Sequence, residues 1–341
     1  MLDVRKAAIL RAIVRDYVKN GQPIGSEALA RKHRLKVSPA TIRNEMGVLE
    51  ELGYIRQPHT SAGRIPTDLG YRWFIDNWPG ATWPELSVRE QKAIDVVTRG
   101  EFGGLEDVLD TTSHILSEVT EATAVVVAPP ARKNKLNRLE LLSRSKRRAT
   151  LLLIADTGVV KQGVVEFATT RTSDSLDELS RALNEKLDGV AFEDLARDVL
   201  KIPGVTQKDA TLLAGAIQRI LDSDVEEKIY RGGTANILSP DKFSDLSTAH
   251  DVVGALERPS LLGSLLETVR QAGGILVYIG DEVPVEQMRA CAVIFAPYAA
   301  GSNRLGTLGV VGPTRMDYPH TISAVESVAR ALSKLLDETS D

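Results

Sequence analysis

The chain has 341 residues, 43% hydrophobic and 26% charged, with 42 Lys and Arg against 46 Asp and Glu and a single cysteine, Cys291. Such a length predicts two or three domains of roughly 150 residues each, and the composition excludes a disordered chain, an intramolecular disulfide and a cysteine-based zinc site. No apolar run reaches the roughly 18 residues of a spanning helix, and Met1 to Lys6 has no secretory pattern, so a cytoplasmic protein with no membrane partner is expected.

The net charge of −4 is unevenly spread. Residues 1–77 carry 13 Lys and Arg against 8 Asp and Glu, whereas the remainder carries 29 against 38. A polyanionic partner therefore belongs at the N-terminal end.

Leu10, Ile13, Val14 and Tyr17 form the stripe of an amphipathic helix over about 3–19, ending at Asn20-Gly21. After the break at Gln22 to Gly25, Ser26 can cap a short helix carrying Ala28, Leu29 and Ala30. A turn is expected over His33 to Val37. Ser38-Pro39 then starts a new helix, because the serine oxygen accepts orphan N–H bonds and proline at the first helical position loses none that mattered. That helix should reach Leu52 and stop at Gly53. At about 100° per residue, Ile42, Met46, Leu49 and Leu52, with Val48 beside them, share one face. Ala40, Arg43, Asn44 and Gly47 share the other.

This second face is narrow, small and polar, which suits a recognition helix in a DNA major groove: small residues permit close approach, Arg reads guanine edges and Asn reads adenine. A plain surface helix would show the same two polar residues, so the face needs its context. Directly after it, Tyr54 to Pro58 and Arg64 to Pro66 read as short strands flanking His59-Thr60-Ser61-Ala62-Gly63. The resulting wing carries Arg56, His59 and Arg64 and can reach phosphates or a minor groove. Thr67 caps a further helix whose Tyr71, Trp73 and Phe74 are expected to pack it onto the wing and the next domain. The DNA-contacting set expected from these patterns is Ser38, Ala40, Thr41, Arg43, Asn44, Gly47, His59, Thr60, Ser61 and Arg64.

Ser38-Pro39-Ala40-Thr41-Ile42-Arg43-Asn44-Glu45-Met46, Gly53-Tyr54, Gln57 through Thr67 and Gly70-Tyr71-Arg72 together resemble the heat-inducible transcription repressor HrcA family. Gly306 through Tyr318 resembles that family's second signature. The resemblance implies an N-terminal winged helix-turn-helix joined to a GAF-like α/β domain that an inserted dimerisation domain interrupts. It also implies a homodimer on an inverted-repeat double-stranded DNA operator ahead of chaperone genes, with a GroE-type chaperonin as modulator.

Further along, Trp78 to Pro84 has the composition of a domain boundary. Helical patterns follow at 87–99 and 104–120, and strand patterns at 124–128, 139–142, 150–155 and 159–167. The basic run Arg144 to Arg148 reads as a hairpin tip between two of these strands rather than a second nucleic-acid site. Helices dominate 173–238, strands return at 275–279, 292–295 and 308–311, and a last helix spans about 321–336. The expected fold class is thus α+β multidomain: 1–77 a winged helix-turn-helix, 78–104 a linker and connecting helix, 105–172 and 239–341 the two parts of the GAF-like domain, and 173–238 the inserted, mainly helical dimerisation subdomain.

No catalytic constellation emerges. Gly306, Gly309 and Gly312 lack the Gly-Lys-Ser/Thr of a P-loop and the spacing of dinucleotide sites, and read as a sheet-edge turn. The histidines at 33, 59, 114, 250 and 320 show no metal-ligand spacing, and Asp281, Glu282 and Asp317 have no visible nucleophile or acid-base partner. No enzyme activity, cofactor or metal is expected. Two alternatives to a chaperone-gene repressor stay open: a ligand-gated regulator sensing a metabolite through its GAF-like domain, and an enzyme tethered to DNA.

Overall fold

A computed structural model describes residues 2–33, 35, 37–59, 62–128, 134–156, 158–222, 228–237, 246–258, 261–262, 266, 268–269, 273–300 and 303–338. Helix α1 (Val4–Asn20) begins where Asp3 accepts the N–H groups of Arg5 and Lys6 and ends at Gly21 in the left-handed region. Helix α2 (Ser26–Lys32) and helix α3 (Pro39–Glu51) form the helix-turn-helix. Strands β1 (Ile55–Arg56) and β2 (Ile65–Pro66) pair antiparallel as the wing, and α4 (Asp68–Asp76) follows the Thr67 cap. Ile9, Leu10, Ile13, Leu29, Ile42, Leu49 and Ile55 are completely buried in this unit. Each contributes about 1.5–3 kcal/mol relative to exposure, so its core rests on the α1 and α3 stripes.

Two residues depart from the expected face of α3. Leu52 and Val48 are 50% and 37% exposed, whereas Ile42, Met46 and Leu49 are buried. Leu52 lies one residue beyond the helix, as its C-cap. Val48 is rotated about 120° from Ile42 at 100° per residue, past the edge of the apolar stripe.

The C-terminal part is organised by two separate sheets. Helices α5 (Val88–Arg99) and α6 (Leu105–Thr120) lead into β3 (Thr123–Val127), whose neighbours form a five-stranded antiparallel sheet of order β7-β3-β10-β9-β8. The other members are β7 (Ile229–Gly232), β8 (Leu276–Ile279), β9 (Cys291–Ala300) and β10 (Asn303–Pro313). Both faces are buried, which explains the nearly continuous apolar runs of its strands. Ala124, Val126, Ile294, Leu308 and Val310 face the last helix, α11 (Tyr318–Glu338), with α5 and α6 beside it. Val125, Val127, Val293 and Phe295 face Val252 and Leu256 of α10 (Leu246–Leu256), with Leu262 and Leu266.

The Gly306, Gly309 and Gly312 repeat lies inside the central strand β10, which corrects the expected sheet-edge turn. A Cβ on Gly309 would stand 2.1 Å from the Ile294 carbonyl oxygen, and one on Gly306 would stand 2.4 Å from the Val127 oxygen. The glycines thus permit close strand approach rather than a turn.

Between β3 and β7 the chain builds a unit of its own. Strands β4 (Leu136–Ser145), β5 (Arg148–Ala155) and β6 (Val160–Glu166) pair antiparallel in that order. Helices α7 (Ser173–Leu187), α8 (Phe192–Asp198) and α9 (Gln207–Asp222) cover one face. Leu139, Leu151, Leu153, Val165, Leu183, Phe192, Leu195 and Ile217 share a single core. The expected division at 172/173 runs through this core, and β7, expected within 173–238, pairs instead with β3. An alternating strand pattern has the same form whichever sheet it joins, so the sequence does not separate them. The 238/239 division lies outside the described residues. The outer edge of β4 is closed by α7: the Asn184 side chain accepts from the Leu139 N–H at 2.7 Å and donates to the Leu139 oxygen at 2.8 Å. The basic run 144–148 forms the β4–β5 hairpin tip, where Arg148 pairs with Glu166 at 3.2 Å.

Candidate nucleic-acid interface

The Ser38 hydroxyl accepts the Thr41 N–H at 3.1 Å and lies 2.9 Å from the Thr41 hydroxyl. This cap fixes the first turn of α3. Ser38, Ala40, Arg43 and Asn44 are exposed, while Thr41 and Gly47 are half-buried. A Cβ added to Gly47 would meet nothing within 4 Å. Ala40, Arg43 and Asn44 therefore share an exposed side of α3, with Gly47 at its edge.

Between α1 and the end of α2 lies a polar anchor that sequence reasoning did not single out. Asp16 of α1 is buried, and its carboxylate accepts from Lys32 Nζ at 2.5 Å and pairs with His33 Nε2 at 3.1 Å. Burial pushes the Asp16 pKa up, but hydrogen bonds from Lys32 and His33 outweigh this and hold it below the ordinary range. The carboxylate ties the end of α2 to α1. Its only sequence signal is an acid beside the apolar stripe of α1, with a basic pair ending α2.

The wing is fixed from within. Gln57 Nε2 donates to the Ala62 oxygen at 3.0 Å, and Ile24 and Arg64 exchange backbone hydrogen bonds at 2.9 Å each. His59 is exposed; Thr60 and Ser61 lie outside the described residues. Arg64 is held inward, its Nε and Nη2 at 2.9 and 2.8 Å from Glu50 of α3. It joins the wing to α3. Arg43, Met46, Gln57 and Arg64 line a polar cleft of about 390 Å³ between the two.

Behind this face, α4 docks on the five-stranded sheet. Arg72 forks onto Glu282, with Nε 2.9 Å from Oε1, and also donates to the Val277 oxygen at 2.5 Å. The Glu282 hydrogen bond raises the Arg72 pKa. Tyr71 packs on Tyr318 with ring centroids 5.4 Å apart, and Arg315 Nη1 donates to the Val18 oxygen at 3.5 Å. Tyr54 meets Trp73 edge-on, and Arg11 lies 5.3 Å over the Trp73 ring. The aromatics of α4 thus pack the wing on one side and the next domain on the other. Glu282, without a visible partner in sequence, finds one 210 residues away. Among the described residues, no cluster of three or more His, Cys, Asp or Glu is placed to hold a metal ion, and no helix is long and apolar enough to cross a membrane.

Residues 1–76 match the family described as "Winged helix-turn-helix transcription repressor, HrcA DNA-binding", and residues 106–322 match the "HrcA protein C terminal domain". A heat-inducible transcription repressor HrcA from Pelotomaculum thermopropionicum is 37% identical over 340 residues, covering 98% of this chain and 97% of that protein. One from Frankia casuarinae is 40% identical over 341 residues, covering 98% and 99%. A 2.2 Å crystal structure of a hypothetical protein superposes with a TM-score of 0.69 at 26% identity, covering 99% of this chain and all of the other.

Proposed function

The chain belongs to the HrcA family of heat-inducible transcription repressors, with a winged-helix DNA-binding domain, and from that premise we propose that it represses chaperone genes as a homodimer on an inverted-repeat operator. The observation that carries this reading is the exposed Arg43 and Asn44 pair on α3, flanked by Ala40 and Gly47 and stiffened by the Ser38 cap. Arg43 and Asn44 contact base edges, Ser38, Thr41 and the wing residues His59, Thr60 and Ser61 contact backbone, and Arg64 reaches phosphate only on leaving Glu50. One such module makes few base contacts, so two are joined to gain useful affinity.

The 136–222 unit is the proposed dimerisation element. The face of its sheet turned away from α7 and α9 exposes Leu142, Val160 and Val164, at 49%, 55% and 40%, around half-buried Leu152 and Ile154. These apolar side chains share the face with Glu140, Thr150 and Gln162, and an apolar patch set among polar residues in this way suits a second copy of the same face. Family membership supports modulation by temperature and a GroE-type chaperonin, and a cytoplasmic site of action beside the chromosome.

Selection of bound sequences from random duplex DNA tests the reading, with an inverted repeat as the expected product. Arg43→Ala and Asn44→Ala are each expected to weaken binding to that sequence by about 1–3 kcal/mol, or roughly 5- to 150-fold, without changing the fold. Unaltered discrimination between operator and scrambled DNA by both variants would remove these residues from the reading face.

A further inference from the structure

A second polar cleft, of about 370 Å³, opens on the opposite side of the wing, where the DNA-binding unit meets the five-stranded sheet. Its walls include Tyr17, Arg56, Asp68 and Tyr71 from the DNA-binding unit and Thr314 and Arg315 from the segment after β10. Tyr71 is 2% exposed, and its hydroxyl is buried with no hydrogen-bond partner among the described residues. A hydroxyl in that state costs about 1–3 kcal/mol unless something in the cleft satisfies it. Arg56 is exposed, which leaves its guanidinium open to an incoming group.

The charges select what that group is. Two guanidiniums, Arg56 and Arg315, face the cleft against one carboxyl, and α4 begins there, adding the partial positive charge of a helix N-terminus. The Asp68 carboxyl is already engaged: it accepts from the Asp281 backbone N–H and lies so close to Gly280 that a Cβ there would stand 1.7 Å from it. Burial raises the Asp68 pKa, which lessens its repulsion of an anion. We infer that this cleft binds a small oxyanion, a phosphate or carboxylate, held by the Arg56 fork with the Tyr71 hydroxyl donating to it and Arg315 closing the far side. Guanidinium geometry matches both kinds of oxyanion, and a cleft of this size holds a small metabolite. Because its walls come from both domains, an occupant bridges the DNA-binding unit to the regulatory sheet.

The test uses the full chain without DNA, so it stands or falls separately from operator recognition. Melting temperature is followed while inorganic phosphate, or in a parallel arm succinate, replaces chloride at constant ionic strength. At least one probe is expected to give a saturable rise of about 2 °C or more. The responding arm identifies the occupant as phosphoryl or carboxyl. Arg56→Gln, at an exposed position, should fold normally and lose the response by at least about tenfold in midpoint concentration. Tyr71→Phe, which deletes only an unpartnered hydroxyl, should shift the midpoint several-fold, while Arg43→Ala should leave it unchanged. A rise that is linear and equal in all variants is general salting-out and overturns the inference. So does the absence of a saturable response to both probes, or one that survives Arg56→Gln.

Discussion

Replacing Asp16 with alanine is expected to loosen the helix-turn-helix without touching the exposed face of α3 that carries Arg43 and Asn44. The carboxylate makes two contacts, to Lys32 at 2.5 Å and His33 at 3.1 Å, from a side chain only 7% exposed. Charge-assisted hydrogen bonds contribute about 1.5–3 kcal/mol each when shielded, but Lys32 is 49% exposed and solvent screening lowers its share to about 1 kcal/mol. Removing the carboxylate also relieves its own burial, so the net loss should be about 2 kcal/mol. Of the chain's three tryptophans, Trp73 lies in α4 and Trp78 and Trp83 follow it, with Trp78 packed on Phe74 and under Arg15 of α1, so tryptophan fluorescence reports unfolding of this unit and its junction with the sheet. With a urea slope of about 2 kcal/mol per molar, the midpoint should fall by about 1 M at pH 7. The direction with pH follows from the lowered Asp16 pKa: the stabilisation is complete above the ordinary aspartate value of 3.8 and disappears as pH falls through the lower folded-state value. Wild type and variant should therefore converge only below that range. An unchanged midpoint at pH 7 would refute the assignment of Asp16 as the anchor of α2.

Ser38→Ala removes the α3 cap and should cost about 1 kcal/mol, read as a lower melting temperature, with weaker operator binding in gel shifts. Arg64→Ala breaks the Glu50 pair, a partly exposed contact worth about 0.5–1 kcal/mol. Because Arg64 joins the wing to α3 rather than facing a base, operator and scrambled DNA should lose affinity alike; loss confined to the operator would give it a base-reading role instead. Gly309→Val forces a branched side chain where a Cβ already stands 2.1 Å from the Ile294 oxygen. It should separate β10 from β9 and destabilise by more than about 3 kcal/mol, measured as loss of soluble protein or a collapsed melting temperature.

Local chemistry made the DNA-binding unit legible. The Ser38-Pro39 start, the Gly21 and Gly53 stops and the apolar stripes of α1 and α3 each depend on residues a few positions apart, and the structure places these elements within a residue or two of their expected limits. Long-range pairing was not legible. Nothing near Leu139 or Leu151 records that their sheet partners end at β6 rather than continuing to β3, and nothing near Glu282 records Arg72. The glycine repeat misleads for a related reason: glycine marks a turn when φ must be positive, but in β10 it marks close strand approach, and only the neighbouring strand distinguishes the two. On the opposite, apolar face of α3, Val48 and Leu52 depart from expectation because a helical period does not hold at its rim and its cap, where rotation and helix termination expose side chains.

The DNA-binding unit and the five-stranded sheet meet at a seam built from both ends of the chain. The segment 306–318 supplies a sheet strand, but it also supplies Arg315 to the Val18 oxygen and Tyr318 to Tyr71, while Gly70-Tyr71-Arg72 supplies Arg72 to Glu282 and Val277. The two segments that carry the family resemblance therefore meet each other across this boundary. Helix α3, by contrast, packs on α1, α2 and β1, so its orientation in space is inherited entirely from how its own unit sits on the sheet. In a dimer the spacing of two reading helices is set by that orientation. A change at Arg72, Tyr71 or Arg315 is therefore expected to alter operator affinity in gel shifts without removing a single DNA contact.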